Sequence, residues 1–575
     1  MEYLFVVKSH VTRALKQLLH QKRRFQSSTK MAKSKFEYVK SFETEDRLDP
    51  GHCIIIALRC SNFQSIVENH GFKRPNDNRF IKLMEDATKD VMGDFKDLKV
   101  GYTFADQCNL VFPKNVTIYR RRGPKLLTNL CSLLATTFVH KWPMHFEVPL
   151  DLTPIIEGTI YLLPNYQGLR DFLTEQQLQC HYRNLYETVL WSLVNVTGIS
   201  YSEAAETLEG TNEGEKNEIL FSRCNMNYNK ECDAFKKGSI VVRKLVPTEV
   251  TTPEGSTALR NASRLIVLYT DFSKDCFWKT VLSCEENTKL NSKRNYFKDL
   301  ERNTKLLPHT WIVVRIDGKG FHKFSDKHNF TKPNDIRSIN LMNCAAQKVM
   351  AEYPDIIFSY GQSDEYTFVT ERYSRMLDRN SNKIMSTIVS LFAATYVYNW
   401  NKVFKGTSLK YCPAFDARVV LYPNISSLRD YLSWRQADCH INNMYNLCFW
   451  MLVQKRDLSH QEAEERLCGT FSNDKRALLL SEFQCEYDEE EAIYRKGTIL
   501  HRKNPEECVE SLSLSRNETL YSFRGNEESS LLGNLKCASD IITVHVDMIN
   551  DTFWSERPWI LGNERDAKTL EDLDE

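Results

Sequence analysis

At 575 residues the chain is too long for one compact core, and 26% charged residues with a net charge of +1 exclude a globally basic nucleic-acid binder, so any nucleic-acid surface must be local. The 17 cysteines include no CxxC pair, which argues against a structural zinc site and for a reducing compartment. No apolar run reaches the length of about 18 residues that a membrane-spanning helix needs.

The first 30 residues carry seven Lys or Arg against one acid, Glu2, with Leu4, Phe5, Val11, Leu15 and Leu18 between them. Such a basic, amphipathic start reads as a mitochondrial presequence; the alternative is an upstream extension, with the folded part beginning at Met31. The expected address is the nucleus or cytoplasm, with a mitochondrial form arising from this segment.

Beyond it the chain repeats itself. Lys33-Ser-Lys-Phe-Glu-Tyr-Val-Lys40 lies opposite Asn291-Ser-Lys-Arg-Asn-Tyr-Phe-Lys298, and Arg74-Pro-Asn-Asp77 opposite Lys332-Pro-Asn-Asp335, both at an offset of 258. Lys125 to Phe146 matches Lys383 to Phe404 in the same register, and a one-residue slip aligns Leu169-Arg-Asp-Phe172 with Leu428-Arg-Asp-Tyr431. The expected organisation is an extension over 1–30, a first repeat over 31–282, a polar linker over 283–292 and a second repeat over 293–575. The polar stretches Val246 to Ser256 and Asn504 to Ser530 read as exposed loops.

Within repeat 2, the β-branched run Ile312, Val313, Val314, Ile316 predicts a buried strand that ends at Asp317 and breaks at Gly318 and Gly320. A helix is expected from about Asp335, with Ile339, Met342, Ala346 and Val349 on one face. Ile356 to Val369 reads as a hairpin with Ser363, Asp364 and Glu365 at its tip. A long helix from Lys383 to Phe404 and a strand from Ala417 to Tyr422 follow. The order β-α-β-β-α-β predicts an α+β fold, the ferredoxin-like arrangement that also underlies polymerase palms, once in each repeat and followed by a helical C-terminal extension.

If the first strand neighbours the hairpin, Asp317 and Asp364 converge. Paired carboxylates beside glycine N–H groups suit Mg²⁺ and phosphate, because Mg²⁺ takes a few hard oxygens from protein and the rest from phosphate. Asp-Gly is also the commonest hairpin dipeptide, so either piece alone reads rather as a plain turn. The ordered set of Asp317-Gly-Lys-Gly-Phe-His322, Lys332-Pro-Asn-Asp335 and Ser363-Asp-Glu365 favours a site.

With Phe415-Asp-Ala-Arg418, Ser433-Trp-Arg-Gln-Ala-Asp-Cys-His-Ile-Asn-Asn443 and Tyr494-Arg-Lys-Gly-Thr498 added, repeat 2 resembles the tRNA-His guanylyltransferase family almost end to end, and repeat 1 resembles it more weakly. The resemblance implies 3′-to-5′ addition of one guanosine to tRNA-His. ATP activates the 5′-phosphate, the GTP 3′-hydroxyl attacks it, pyrophosphate leaves, and two Mg²⁺ ions serve each site. It implies that Asp317, Gly318 and Asp364 hold metal, and that Lys319, Gly320, Phe321, His322, Ser363, Lys383 and Asn446 join them around GTP or ATP. Lys332 is implied as a phosphate contact, while Glu365 either tunes the site or forms a salt bridge. His440, Asn442, Asn443 and Lys475 match a cluster that handles tRNA.

Repeat 1 departs from this pattern. Arg59 stands for Asp317, Cys60 for Gly318, Gln64 for His322 and Ala105 for Ser363, although Asp106 remains. It is therefore expected to be catalytically dead, with Asp106 in a salt bridge. His181, Lys216 and Asn227 are retained, Asn227 against Glu486, and are expected to contact tRNA. The resulting reading is a guanylyltransferase with one live and one degenerate repeat, binding tRNA-His, ATP and GTP, not associated with membranes, and pairing as a homodimer of tandem chains. The alternatives are templated 5′-end repair of other tRNAs and a non-catalytic RNA-binding protein.

Overall fold

The computed structural model describes residues 36–251, 257–281, 299–504 and 540–562. The basic start, the 283–292 linker and most of the Asn504 to Ser530 stretch lie outside them. In repeat 1 the principal elements are β1 (Cys53–Cys60), α1 (Asn78–Asp94), β2 (Val100–Phe104), β3 (Gln107–Phe112), α2 (Gly123–His145), β4 (Ile156–Leu163), α3 (Tyr166–Ser192), β5 (Ser239–Thr251) and β6 (Thr257–Leu268). Repeat 2 follows with β7 (Trp311–Gly318), α4 (Ile336–Glu352), β8 (Ile356–Gln362), β9 (Glu365–Thr370), α5 (Ser381–Val403), β10 (Phe415–Tyr422), α6 (Ile425–Arg456), β11 (Thr498–Arg502) and β12 (Ile541–Val544).

The strands form two six-stranded antiparallel sheets in matching order, β4-β1-β3-β2-β5-β6 and β10-β7-β9-β8-β11-β12. Ile312, Val313, Val314 and Ile316 are fully buried in β7, as their β-branched shape favours. Both α1 and α4 begin at an aspartate cap: the Asp77 carboxylate accepts the Arg79 N–H at 2.9 Å and Asp335 accepts that of Arg337 at 3.0 Å. The expected loop from Val246 to Ser256 is corrected in part, because β5 runs to Thr251 and pairs with β6 down to Thr251↔Thr257. Polar composition misled there; the Val and Thr content suits a strand and a partner strand lies in reach.

After each β-α-β-β-α-β unit a long helix, α3 or α6, carries two further helices with a small core of their own, centred on Leu220 and Tyr228 in repeat 1 and on Leu479 and Tyr487 in repeat 2. Among the described residues no helix is long and apolar enough to cross a membrane.

Helices α2 and α5 are buried over most of their circumference, and the reason lies between the repeats. β4 and β10 are the outer strands of their sheets, and each is covered by the long helix of the other repeat. The Thr128 hydroxyl of α2 accepts the Ala417 N–H at 2.9 Å, and Ser132 both accepts the Phe415 N–H and donates to its carbonyl at 2.7 Å. Reciprocally, Ser390 accepts the Ile156 N–H at 2.8 Å and Ser386 that of Gly158 at 2.9 Å. Hydroxyls thus satisfy backbone groups that a bare edge strand would leave unpaired.

The arm preceding each repeat also crosses over. Val39 is buried in the repeat 2 core, Phe42 packs on Tyr422, and the Tyr38 hydroxyl donates to Asp430 at 2.6 Å. In return Glu301 bridges to Tyr161 and Arg302 N–H donates to the Ile160 carbonyl at 2.8 Å.

Candidate active site

β7 carries Asp317 to the end of its strand, where Gly318 and Gly320 turn the chain into the short helix Phe321–Lys327. Gly320 has φ +60°, a conformation that favours glycine, and a Cβ on Gly318 would lie 2.5 Å from the Phe321 ring. The hairpin tip between β8 and β9 is pinned to this turn, because the Gly318 N–H donates to the Asp364 carbonyl at 3.1 Å. Asp317 lies opposite Glu365 on one side and Asp416 on the other, so three carboxylates share one face of the sheet. Asp364 joins them at the tip.

Crowding shows in the titration of these groups. Burial, then Asp416 and Glu365, pushes the Asp317 carboxyl up to about 6. Burial, then Asp317, pushes Asp364 up to about 7. Acids held this way favour a cation. Glu365 is already occupied: Arg435 donates to its two oxygens at 2.8 and 2.9 Å, and Arg315 lies 3.8 Å away. Of the two expectations for Glu365, the structure displays the salt bridge.

Other expected groups distribute unevenly. Ser363 sits exposed at the tip with φ +50°, and His322 is exposed on the short helix. Lys319 reaches across to repeat 1, its amine 4.1 Å from the Phe95 ring centre. Lys332 is held by Asp326 at 2.8 Å and Ser325 at 3.0 Å, above the Trp450 ring. On α6, Asn443 is buried and accepts from Asn334 at 2.8 Å, which ties the helix to the Lys332–Asp335 turn, while Asn442 and Asn446 are exposed. His440 lies 3.5 Å from the Tyr487 hydroxyl, and burial lowers its pKa, keeping the ring neutral.

Lys475 donates to the Thr470 carbonyl and hydroxyl, each at 2.8 Å, and Lys216 to the same groups of Thr211. Both amines therefore brace a local turn. His181 pairs with Glu213 at 2.9 Å, and Asn227 accepts the Asn229 N–H at 3.0 Å, a cap that Glu486 does not make.

In repeat 1 the corresponding carboxylate is already paired. Arg59 pairs with Asp106 at 3.0 Å, and Arg183 donates to the other Asp106 oxygen.

The family profile described as tRNAHis guanylyltransferase matches residues 36–164 and 294–423, and that described as Thg1 C terminal domain matches 167–305 and 426–550. The tRNA(His) guanylyltransferase 1 of Arabidopsis thaliana is 35% identical over 546 residues, 92% of this chain and 91% of that protein. This chain belongs to the tRNAHis guanylyltransferase family. The Debaryomyces hansenii tRNA(His) guanylyltransferase is 45% identical over 272 residues, covering 47% of this chain and 98% of its own length. The crystal structure of the tRNA(His) guanylyltransferase from Saccharomyces cerevisiae is 38% identical, covers 41% of this chain and 99% of that one, and has a TM-score of 0.36.

Lys383, expected around GTP or ATP, has its amine paired with Glu157 of repeat 1 at 2.7 Å, beside Arg59. Repeat 1 instead lends Lys125 to the repeat 2 site, 2.9 Å from Asp416, which is the cross-strand neighbour of Asp317. The exchange follows from the crossing of α2 and α5 over each other's sheets. Sequence reasoning also missed Asp416 and Glu43, an arm residue that holds Arg418 at 2.9 Å and Arg315 at 3.4 Å. The signal for Lys125 was the offset pairing of 125 with 383; nothing in that pairing says which sheet each lysine faces.

Proposed function

We propose that this chain adds a guanosine to the 5′ end of tRNA-His, with repeat 2 carrying the chemistry. The reading is supported by the family membership, and the observation that carries it is the contrast between repeats. Asp317 and Asp364 crowd together with raised pKa values in repeat 2, whereas the surviving Asp106 of repeat 1 is neutralised by Arg59 and Arg183. The β-α-β-β-α-β order with its 4-1-3-2 sheet fits a polymerase-palm arrangement, with the carboxylates at the palm's centre.

The donor set fits Mg²⁺. Among the described residues no group of three or more His, Cys, Asp or Glu side chains is arranged to hold a metal. Two carboxylates and the Gly318 carbonyl form the sparse oxygen set that this ion takes when substrate phosphates complete its shell. Bound there, the ions would polarise phosphoryl oxygens and lower the pKa of the attacking hydroxyl. The Gly318 and Lys319 N–H groups already donate to the Asp364 and Ala414 carbonyls, which leaves those of Gly320 and Phe321 for incoming phosphate, and Lys125 and Lys332 supply charge where it accumulates on the phosphoryl oxygens. Glu365 fixes Arg435 and so positions the carboxylates without touching substrate. ATP and GTP are the expected nucleotides. Pairing of two chains is the expected assembly, which sedimentation or light scattering would measure.

The test is incubation of purified protein with 5′-monophosphorylated tRNA-His, ATP and labelled GTP, read for a product one nucleotide longer at the 5′ end. Asp317→Ala and Asp364→Ala should each abolish that product while tRNA affinity stays within about twofold, since loss of metal stabilisation costs several kcal/mol. A variant that kept appreciable turnover would overturn the assignment.

A further inference from the structure

A well-formed cleft lies in the degenerate repeat. It has a volume of about 140 Å³ and lies between the Phe63–Asn69 helix, the Lys73–Asp77 turn, the β2–β3 tip and α3. Loss of catalysis did not fill it. The hairpin tip has instead become more aromatic, with Phe104 where repeat 2 has Gln362, and Phe63 and Phe80 line the wall with their ring centres 4.7 Å apart.

Three polar features separate this cleft from its counterpart. Asn76 Nδ2 is buried at its edge with no hydrogen-bond acceptor, whereas its counterpart Asn334 donates to Asn443. Asn184, which matches Asn443, donates to the Tyr228 hydroxyl at 3.0 Å as Asn443 does to Tyr487 at 3.3 Å, but it takes no bond from Asn76. A buried donor without a partner is costly, and a ligand acceptor such as a ring nitrogen or carbonyl oxygen would remove that cost. Lys73 and Arg74 at the rim have no carboxylate partner among the described residues, whereas their region in repeat 2 has Lys332 tied to Asp326. Arg74 is steadied by the Trp191 ring, 5.0 Å away. Finally, Asp106 is already neutralised by two guanidinium groups, so no metal is needed to admit an anion.

We infer that repeat 1 is a metal-independent binding site for a purine ring bearing phosphate. The flat ring stacks among Phe63, Phe80 and Phe104, Asn76 donates to it, and Lys73 and Arg74 meet the phosphate. The site binds without reacting, because it has no paired carboxylates. Two sources share this chemistry: a free nucleotide acting as an effector, and the terminal nucleotide of the RNA.

The test uses the full chain carrying Asp317→Ala, titrated with a fluorescent methylanthraniloyl-GTP in EDTA. Saturable binding of one equivalent per chain is expected. Adding Lys73→Ala with Arg74→Ala should weaken it at least about tenfold, as loss of charge-assisted contacts does. Asn76→Asp, which keeps the shape and removes the donor, should weaken it as well. Unchanged melting temperatures establish that the variants are folded. Displacement of the probe by 5′-monophosphorylated but not 5′-hydroxyl RNA assigns the site to the RNA end; persistence of the probe assigns it to free nucleotide. No saturable binding in EDTA, or binding indifferent to both sets of substitutions, overturns the inference. GTP incorporation by the wild-type chain is read separately, so failure here leaves the guanylyltransferase reading standing.

Discussion

A carboxylate such as Asp317 or Asp364, held above its ordinary pKa, makes the fold sensitive to pH in a defined direction. Their folded values, about 6 and about 7, lie above the ordinary 3.8, so the native state binds more protons than the unfolded chain between those limits. Their contribution to stability is complete at low pH and is lost as pH rises through 6 to 7. The metal-free protein should therefore melt at a lower temperature at pH 8 than at pH 6. Asp364→Asn should flatten the slope, and Mg²⁺ should raise the melting temperature more at pH 8, where the carboxylates are ionised. Differential scanning calorimetry with and without EDTA checks the sign. These two residues were legible in the sequence because each is fixed by a local pattern, a strand end and a hairpin tip. Glu365 was not: its role depends on Arg435, 70 positions away.

At the level of elements, the crossing of α2 and α5 rewrites which repeat serves which site. Lys125→Ala should lower guanosine addition by roughly tenfold to a hundredfold, the range for losing a preorganised charge at a developing anion. Lys125→Arg should recover part of it, while Lys383→Ala, although it changes the residue at the matching position, should leave turnover within about twofold. Steady-state rates on one tRNA preparation decide between them, and equal losses would mean that both lysines act through folding. The hydroxyl caps can be tested by stability: Ser132→Ala strips Phe415 of partners for both its N–H and carbonyl, and should cost about 1–3 kcal/mol in urea denaturation. Strand and helix order could be read from periodicity, since each element is a local matter. The crossing could not, because α2 and α5 would be buried and apolar against either sheet. The stretch from Val246 failed for a related reason: composition counts polarity, whereas a strand needs a neighbour.

For the whole molecule, covalent linkage between the repeats matters less than their mutual coverage. A protease site introduced within 283–292 and then cut should leave the two halves co-eluting on size exclusion, with guanosine addition within about twofold of the intact chain. A fragment covering 293–575 should be insoluble or inactive, because it lacks the helix over β10, Lys125 and the Glu43 arm. Reconstitution with 1–282 should restore it. The hydroxyl-capped outer strands also have a consequence for biosynthesis. The ribosome delivers β4 long before α5, which supplies Ser386 and Ser390, so for more than 200 residues of translation the first sheet has an uncovered margin. Nascent chains with such margins recruit holding chaperones or pair with each other. Polysomes translating this message are thus expected to carry an interval of aggregation risk that closes when residue 390 leaves the exit tunnel, and slowing elongation within that interval should lower the soluble yield.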